Sequence, residues 1–321
     1  MYKDILMLIS IASLRQPTYK SQFSKQRPSY LSISDYLMSE LDARVDHVLW
    51  KIKEAAKAAR ERHVGAECLF FTLPEFFWNV PWHVVRSEEE LHELNSAYLE
   101  HVSAAVVSLM KALPAQQYGD IVLLGGSCAT LIKVGEGESS YYDVINYLLA
   151  ITNKKYAGDK PVMSMWPKRN VSGIDFGKYV GMSEGYWYFN LFGDVVVKVK
   201  RVSNVQAEHS DSSGYEGTFL NDLVPGCPFG VNLCLDYDVV QDGERDEEIK
   251  LTEAKIDFLI ACGMSFDYSK QHSSSVQYAI RNDGHGDGGC EVVKLKSGRI
   301  VGAVPSEVID GSIYLASIDI A

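Results

Sequence analysis

Residues Glu67-Cys-Leu-Phe-Phe-Thr-Leu-Pro-Glu-Phe-Phe77 form a dense apolar run, short and rich in Phe, that closes on Pro74-Glu75. A run of this length without alternation reads as a strand buried on both faces, which needs a covering layer on each side. The flanking sequence supplies one. Upstream, Ser32-Ile-Ser-Asp35 has the spacing of a helix start, and Leu37, Leu41, Val45, Val48, Ile52 and Ala56 recur at threes and fours until Gly65 supplies a stop. Downstream, Ser87-Glu-Glu-Glu90 is a capping box, and Leu91, Leu94, Tyr98, Val102, Val106 and Leu109 form one apolar helical face that ends before Pro114. A buried strand between two long amphipathic helices predicts an α/β protein.

Further out, Ile5–Leu14 is strongly apolar but well short of the ~20 residues a bilayer span requires. With one Lys before it and no clean small-residue cleavage site after it, it is expected to be a buried first strand rather than a signal peptide. Residues 15–30 are rich in Ser, Gln, Lys and Pro and read as a long loop. Strands are expected at Ile121–Gly125, at Tyr142–Ile151 and, after a polar turn at 153–159, at Pro161–Lys168. The second half changes character. One strand, Val195–Val202, sits in a mixed segment, followed by the acidic, Ser-rich stretch 207–217, so a surface insertion is expected around 180–222. Pro228–Leu235 is another apolar run. A short helix near 247–254, a strand Asp257–Cys262 and strand-like runs near 276–282, 291–304 and 312–320 complete the chain. With no linker and no internal repeat, residues 1–321 are expected to form one α/β domain, with two layers of strands covered by helices.

Composition narrows the class of partner. Among 321 residues, 46% are hydrophobic and 31 basic residues face 42 acidic ones, a net charge of −11. That balance repels phosphate backbones, and no Lys/Arg cluster interleaved with aromatics offsets it, so neither nucleic acid nor a membrane is an expected partner. Six cysteines, at 68, 128, 227, 234, 262 and 290, lack paired short spacing, as expected of reduced thiols in a cytoplasm-like compartment.

Three reactive side chains fall at the ends of apolar runs, where α/β folds usually place their sites: Glu75, Lys168 in Trp166-Pro-Lys-Arg169, and Cys234 in Gly230-Val-Asn-Leu-Cys-Leu-Asp236. A Glu boxed in by Phe and Trp is poorly solvated, which raises its pKa toward the range of a general base. A cysteine on an exposed elbow near a Lys gains thiolate character and can act as a nucleophile. Read singly, each has a plainer alternative: a partly exposed strand-end Glu, a solvated Lys, a small buried thiol.

Taken together, in the order Glu, Lys, Cys, they resemble the nitrilase superfamily of carbon–nitrogen hydrolases. Leu73-Pro74-Glu75 resembles the first motif of that family, Trp166-Pro167-Lys168 the second, and Gly230 through Cys234-Leu235-Asp236 the third. Gly289–Val293 through Ser297–Val301 looks like its late hairpin. The departures are Pro167 where the family commonly has Arg, Leu235 in place of a common aromatic, and Tyr-Asp-Val-Val-Gln-Asp-Gly-Glu after Asp236 instead of Arg-Phe-Pro-Glu. These bear on substrate identity more than on chemistry.

The resemblance implies an α-β-β-α sandwich, an amide or nitrile as small-molecule substrate, no cofactor, and a homodimer or higher homo-oligomer. It also implies roles. Glu75 would take the thiol proton, Cys234 would attack the amide or nitrile carbon, and Lys168 with the Leu235 N–H would hold the oxyanion. Asp175 is a counterpart of a further family acid, or an exposed loop Asp; Trp78 and Tyr237 would line the pocket, or are core aromatics. The expectation is an amidase that releases ammonia or an amine from a small carboxamide, with nitrile hydrolysis or acyl transfer to an amine as variants; a catalytically silent binding or assembly protein on the same fold is the competing expectation. Asp283-Gly-His-Gly-Asp287 looks metal-like, but no second His or Cys shares its spacing, and no metal is expected there. Gly125-Gly126 lacks the spacing and following helix of a phosphate loop.

Overall fold

The computed structural model describes residues 6–156, 160–192, 195–201, 223–239 and 254–321. Its strands are β1 (Met7–Leu14), β2 (Cys68–Leu73), β3 (Ile121–Val134), β4 (Tyr141–Tyr156), β5 (Lys160–Pro167), β6 (Lys178–Ser183), β7 (Tyr186–Phe192), β8 (Val195–Lys200), β9 (Phe229–Leu233), β10 (Ile256–Ala261), β11 (Tyr278–Asp283), β12 (Gly289–Lys296), β13 (Arg299–Ala303), β14 (Glu307–Ile309) and β15 (Ile313–Ile320). The helices are α1 (Ile33–Arg62), α2 (Glu88–Lys111), α3 (Ala115–Tyr118) and α4 (Leu235–Val239).

The strands form two sheets. The larger runs β14-β15-β1-β2-β3-β4-β8-β7-β6, with β5 also on β4, and the smaller runs β13-β12-β11-β10-β9. Strands β1, β2 and β3 are parallel, as are β9, β10 and β11. Because β4 is antiparallel to β3 and β5 antiparallel to β4, β5 points the same way as β3. The C-terminal ends of β1, β2 and β5 therefore open on one edge of the larger sheet.

Alternation along β2 builds both cores, since successive strand side chains point to opposite faces. Leu69, Phe71 and Leu73 pack with α1 and α2, whereas Cys68 and Phe70 face the smaller sheet. Between the sheets Phe70, Phe229 and Phe258 meet as a triangle with ring centroids 5.1–5.7 Å apart. Truncating any of the three to Ala is expected to destabilise the protein by about 3–5 kcal/mol. The helix faces read from periodicity are buried as expected: Leu37, Leu41, Val48, Ile52 and Ala56 on α1, and all six named positions on α2. Ser32 and Ser87 cap these helices by accepting the N–H of Asp35 and Glu90.

Several expectations are corrected. The strand expected to stop at Gly125 continues to Val134 through an irregularity at Gly125-Gly126, and the partner strand runs from Tyr141 to Tyr156. The strand-like run at 291–304 is the late hairpin that the resemblance implies, β12 and β13, which turns at Ser297-Gly298 with both residues at positive φ. Of the segment 180–222, β7 and β8 pair with each other and extend the larger sheet through β4, and β6 pairs on β7; residues 202–222 lie outside the described residues. The short helix expected near 247–254 falls almost wholly outside them too. No helix among the described residues is long and apolar enough to cross a membrane.

Candidate active site

Glu75 lies two residues beyond β2, Lys168 directly beyond β5 and Cys234 directly beyond β9, so two stacked sheets present all three at neighbouring strand ends. The backbone ties these ends together. Glu75 N–H donates to Ala261 O at 3.4 Å across the sheets, Cys234 N–H to Ile260 O at 3.0 Å, and Lys168 N–H to Asn146 O at 2.6 Å.

The loop that carries Glu75 is held from three sides. Thr18 Oγ1 donates to Glu75 O at 2.6 Å, and Phe76 N–H donates to Ser127 Oγ at 3.0 Å. Arg44, buried on α1, donates to Phe77 O and Asn79 O at 2.8 and 3.0 Å. Gly126 has φ +67° beneath this loop, and a Cβ there would sit 2.6 Å from Pro74 O and 2.9 Å from Phe77 Cβ. Only glycine fits both the conformation and the space.

Lys168 is the hub. Its Nζ lies 2.9 Å from Glu75 Oε1 and 2.9 and 2.8 Å from the two oxygens of Asp175, and all three side chains are buried. Asp175 also accepts from Ser172 N–H and Ser172 Oγ, which fixes it on its own turn. Asn146 Nδ2 donates to Glu75 Oε1 at 3.2 Å, while Glu75 Oε2 has no hydrogen-bond partner among the described residues. The Cys234 thiol donates to Cys262 O at 3.7 Å and lies close enough to the Glu75 carboxyl to draw its pKa down.

Cys234 has φ +49°, a left-handed conformation that a β-carbon disfavours. It forms a sharp turn between β9 and α4. Behind it, Tyr237 OH pairs with His272 Nε2 at 3.1 Å and His272 Nδ1 with Asp257 at 3.2 Å, which anchors α4 to the loop after β10. Asp236 faces the other way and accepts from Arg169 N–H and Asn170 N–H, both at 2.9 Å, so the elbow of one sheet clamps the loop that follows Lys168.

Burial sets the electrostatics. It raises the Glu75 carboxyl to about 7, with Lys168 pulling it down and Asp175 pushing it up. Burial would lower the Lys168 ammonium, but Asp175 and Glu75 outweigh it and hold Lys168 well above the usual lysine range. Burial, helped by the charge of Glu75, pushes the Cys234 thiol well above its ordinary range against the pull of Lys168. The resting sulfur is therefore a thiol.

A cleft of about 840 Å³ reaches this cluster at Phe76 and Asp175, both of which contact Lys168. Cys234 is 3% exposed and is not among the described residues that line the cleft. Ile174, which does line it, stands over Gly263, the residue after Cys262. Trp78 lies in the core, donating through Nε1 to Gly125 O, and Tyr237 is packed behind the elbow, so the structure brings neither to the cleft. The Leu235 N–H occupies the first position of α4, where a helix leaves its N–H groups without an intrahelical acceptor. Asp283 accepts from Gly263 N–H and His285 N–H and pairs with Arg281.

Sequence reasoning missed Thr18, Asn146, Ser127 and the clamp made by Asp236. Asn146 had a signal, a polar residue inside an apolar strand; Thr18 and Ser127 had none.

Fold and site together describe an α/β protein of two stacked sheets, with a carboxylate, an ammonium and a thiol converging at the strand ends. No family model and no curated protein matches the chain. Among solved structures it is similar to a carbon–nitrogen hydrolase from Helicobacter pylori G27, at 11% identity and a TM-score of 0.43 over 97% of this chain and 89% of that one.

Proposed function

We propose that this chain is a cysteine-dependent hydrolase of a non-peptide carbon–nitrogen bond, an amidase that releases ammonia or an amine from a carboxamide through a thioester. The observation that carries the reading is Glu75 Oε1 and Asp175 on one buried Lys168 ammonium, with Cys234 on a strained elbow against the same carboxylate. The motif resemblance to the nitrilase superfamily supports it independently.

In this reading Glu75, which titrates near neutrality, takes the thiol proton as Sγ attacks the carbonyl carbon. Proton transfer accompanies attack because the buried thiol does not ionise beforehand. Lys168 and the Leu235 N–H stabilise the oxyanion, and one such donor is worth about 3 kcal/mol elsewhere. Protonated Glu75 then gives its proton to the leaving nitrogen, and water, deprotonated by Glu75, cleaves the thioester. Asp175 keeps Lys168 charged and aimed. A homo-oligomeric state belongs to this reading through the resemblance alone.

A second reading, a silent binding protein on this fold, draws on the 3% exposure of Cys234 and its absence from the described cleft lining. Ammonia release from an amide panel, compared with Cys234→Ala, separates the two. Turnover lost in the variant, with an electrophilic amide probe labelling Cys234 ahead of the other five cysteines, supports the hydrolase. Release that survives Cys234→Ala, or no release and no preferential labelling, overturns it.

A further inference from the structure

The charges around the cleft are one-sided in a way the net charge of the chain does not foreshadow. Of its acidic lining residues, Asp175 is bound to Lys168, and Glu88 is bound to Lys133 at 2.6 Å and to Tyr142 OH at 3.0 Å. Of its basic ones, Lys20, Arg86 and Lys178 are exposed and make no side-chain ion pair among the described residues, although Glu90, which accepts Arg86 N–H, lies close enough to feel the Arg86 charge. Lys20 lies against the Tyr19 ring, and Arg86 touches only the carbonyls of Pro28 and Ser29 through its guanidinium. The floor between them is apolar, built from Pro81, Trp82, Val85, Ile174 and Leu191.

The one-sidedness continues outward. A groove of about 560 Å³ shares Lys20, His83 and Arg86 with the cleft, adds Lys25 and Arg27, and has no acidic residue among its described lining. Arg27 is engaged by Glu90, but Lys25 Nζ has no ion-pair partner among the described residues. Among the described residues, Lys20 and Lys178 at the cleft and Lys25 in the adjoining groove are thus cations with no ion-pair partner, with Arg86 between them only partly offset by Glu90, in a chain of net charge −11. Such a surface selects a ligand with negative charge at its outer end, because wrong-sign partners are repelled and right-sign ones are concentrated.

We infer that the substrate is an amide with an apolar body and an anionic terminus: the amide enters toward Phe76 and Asp175, the body lies on Trp82 and Leu191, and the anion meets Lys20, Arg86 and Lys178. The inference rests on the hydrolase reading for the amide end only; the anionic end follows from the lining itself. A cleft of this volume suits a ligand of many heavy atoms better than a two- or three-carbon amide.

The test compares monoamides of dicarboxylic acids of increasing chain length with alkyl amides of matched length, for kcat/KM in the full-length protein. The anionic series is preferred. Lys20→Gln, Arg86→Gln and Lys178→Gln combined lower the ratio of anionic to neutral kcat/KM about tenfold, mostly through KM, as expected for three exposed charge contacts. Raising the ionic strength shrinks the ratio in the parent and barely moves it in the triple variant. Lys57→Gln, exposed on α1 outside the cleft, leaves it where it is. Calorimetric titration with the free dicarboxylates, with alkyl phosphates of matched length and with the neutral diamides keeps the two inferences apart. Anion binding that the triple variant weakens, without turnover of any amide, upholds the cleft and sinks the hydrolase. Tighter binding of the phosphates assigns the terminus to phosphate and of the dicarboxylates to carboxylate, and either upholds the anionic end. A ratio near one in the parent, or no loss of anion binding in the triple variant, overturns the inference.

Discussion

Replacing Glu75 with Gln should change how stability depends on pH, and the structure sets both the sign and the size. The carboxyl is fully buried and titrates at about 7, against an unfolded value of 4.5. Below pH 4.5 it is neutral in both states and its burial carries no charge penalty. Between pH 4.5 and 7 the native state binds more protons than the unfolded one, so stability falls as pH rises. Above 7 both states are ionised, and the whole loss has accrued. At 1.36 kcal/mol per unit, a raise of this size corresponds to about 3 kcal/mol. Glu75→Gln cannot ionise, so its stability relative to the parent should climb by about that amount across the window. Urea unfolding of both proteins at intervals from pH 4.5 to 8 gives the difference curve, with the remaining ionisable groups common to both. A flat difference, or one that favours the parent as pH rises, would mean that Lys168 holds the carboxylate ionised well below neutrality. Glu75 would then be no base for a thiol at neutral pH.

Two further substitutions probe the scaffold beneath the site. Gly126→Ala must place a Cβ 2.6 Å from Pro74 O at φ +67°, so it should lower the urea midpoint by an amount equivalent to about 1–3 kcal/mol and reduce kcat with the displaced Glu75 loop. An unchanged midpoint would show that the loop gives way freely. Asp236→Asn can accept only through one oxygen, leaving an amide donor facing one of the two N–H groups, of Arg169 or Asn170, so a loss of about 1.5–3 kcal/mol is expected by the same assay. Because Asp236 positions the loop after Lys168, kcat should fall more than KM rises; equal thermal stability and unchanged kcat would remove it from that role.

The residues at the strand ends were legible one at a time. Pro74 and Pro167 close apolar runs, and a proline at such a boundary marks where a chain leaves a sheet. Glycine punctuation misled where a strand passes through an irregularity: Gly125-Gly126 reads as a stop, yet β3 continues beyond it because the pair accommodates the Glu75 loop from below. Strand β6 escaped notice because Lys178–Ser183 is exposed along almost its whole length and so has no apolar alternation to report. Nearness to Glu75 leaves Trp78 open as a pocket residue or a core aromatic; because a strand end reverses direction within a few residues, its indole turns back under α1 and α2, the second of these.

Local order, then, belongs to the sequence by itself: the two long helices with their serine caps, the doubly buried β2, and the acid, ammonium and thiol each at the close of an apolar run. Periodicity and capping depend on residues three or four positions apart, and those are printed side by side in the chain. Convergence belongs to the tertiary structure alone. Glu75 and Lys168 are 93 residues apart and meet because β5 runs parallel to β3, a consequence of two successive antiparallel pairings. The shift of Glu75 to about 7 and the hold of Asp236 on the neighbouring loop both depend on which groups exclude water from one another. Desolvation is a property of the packed neighbourhood, and no stretch of sequence contains it.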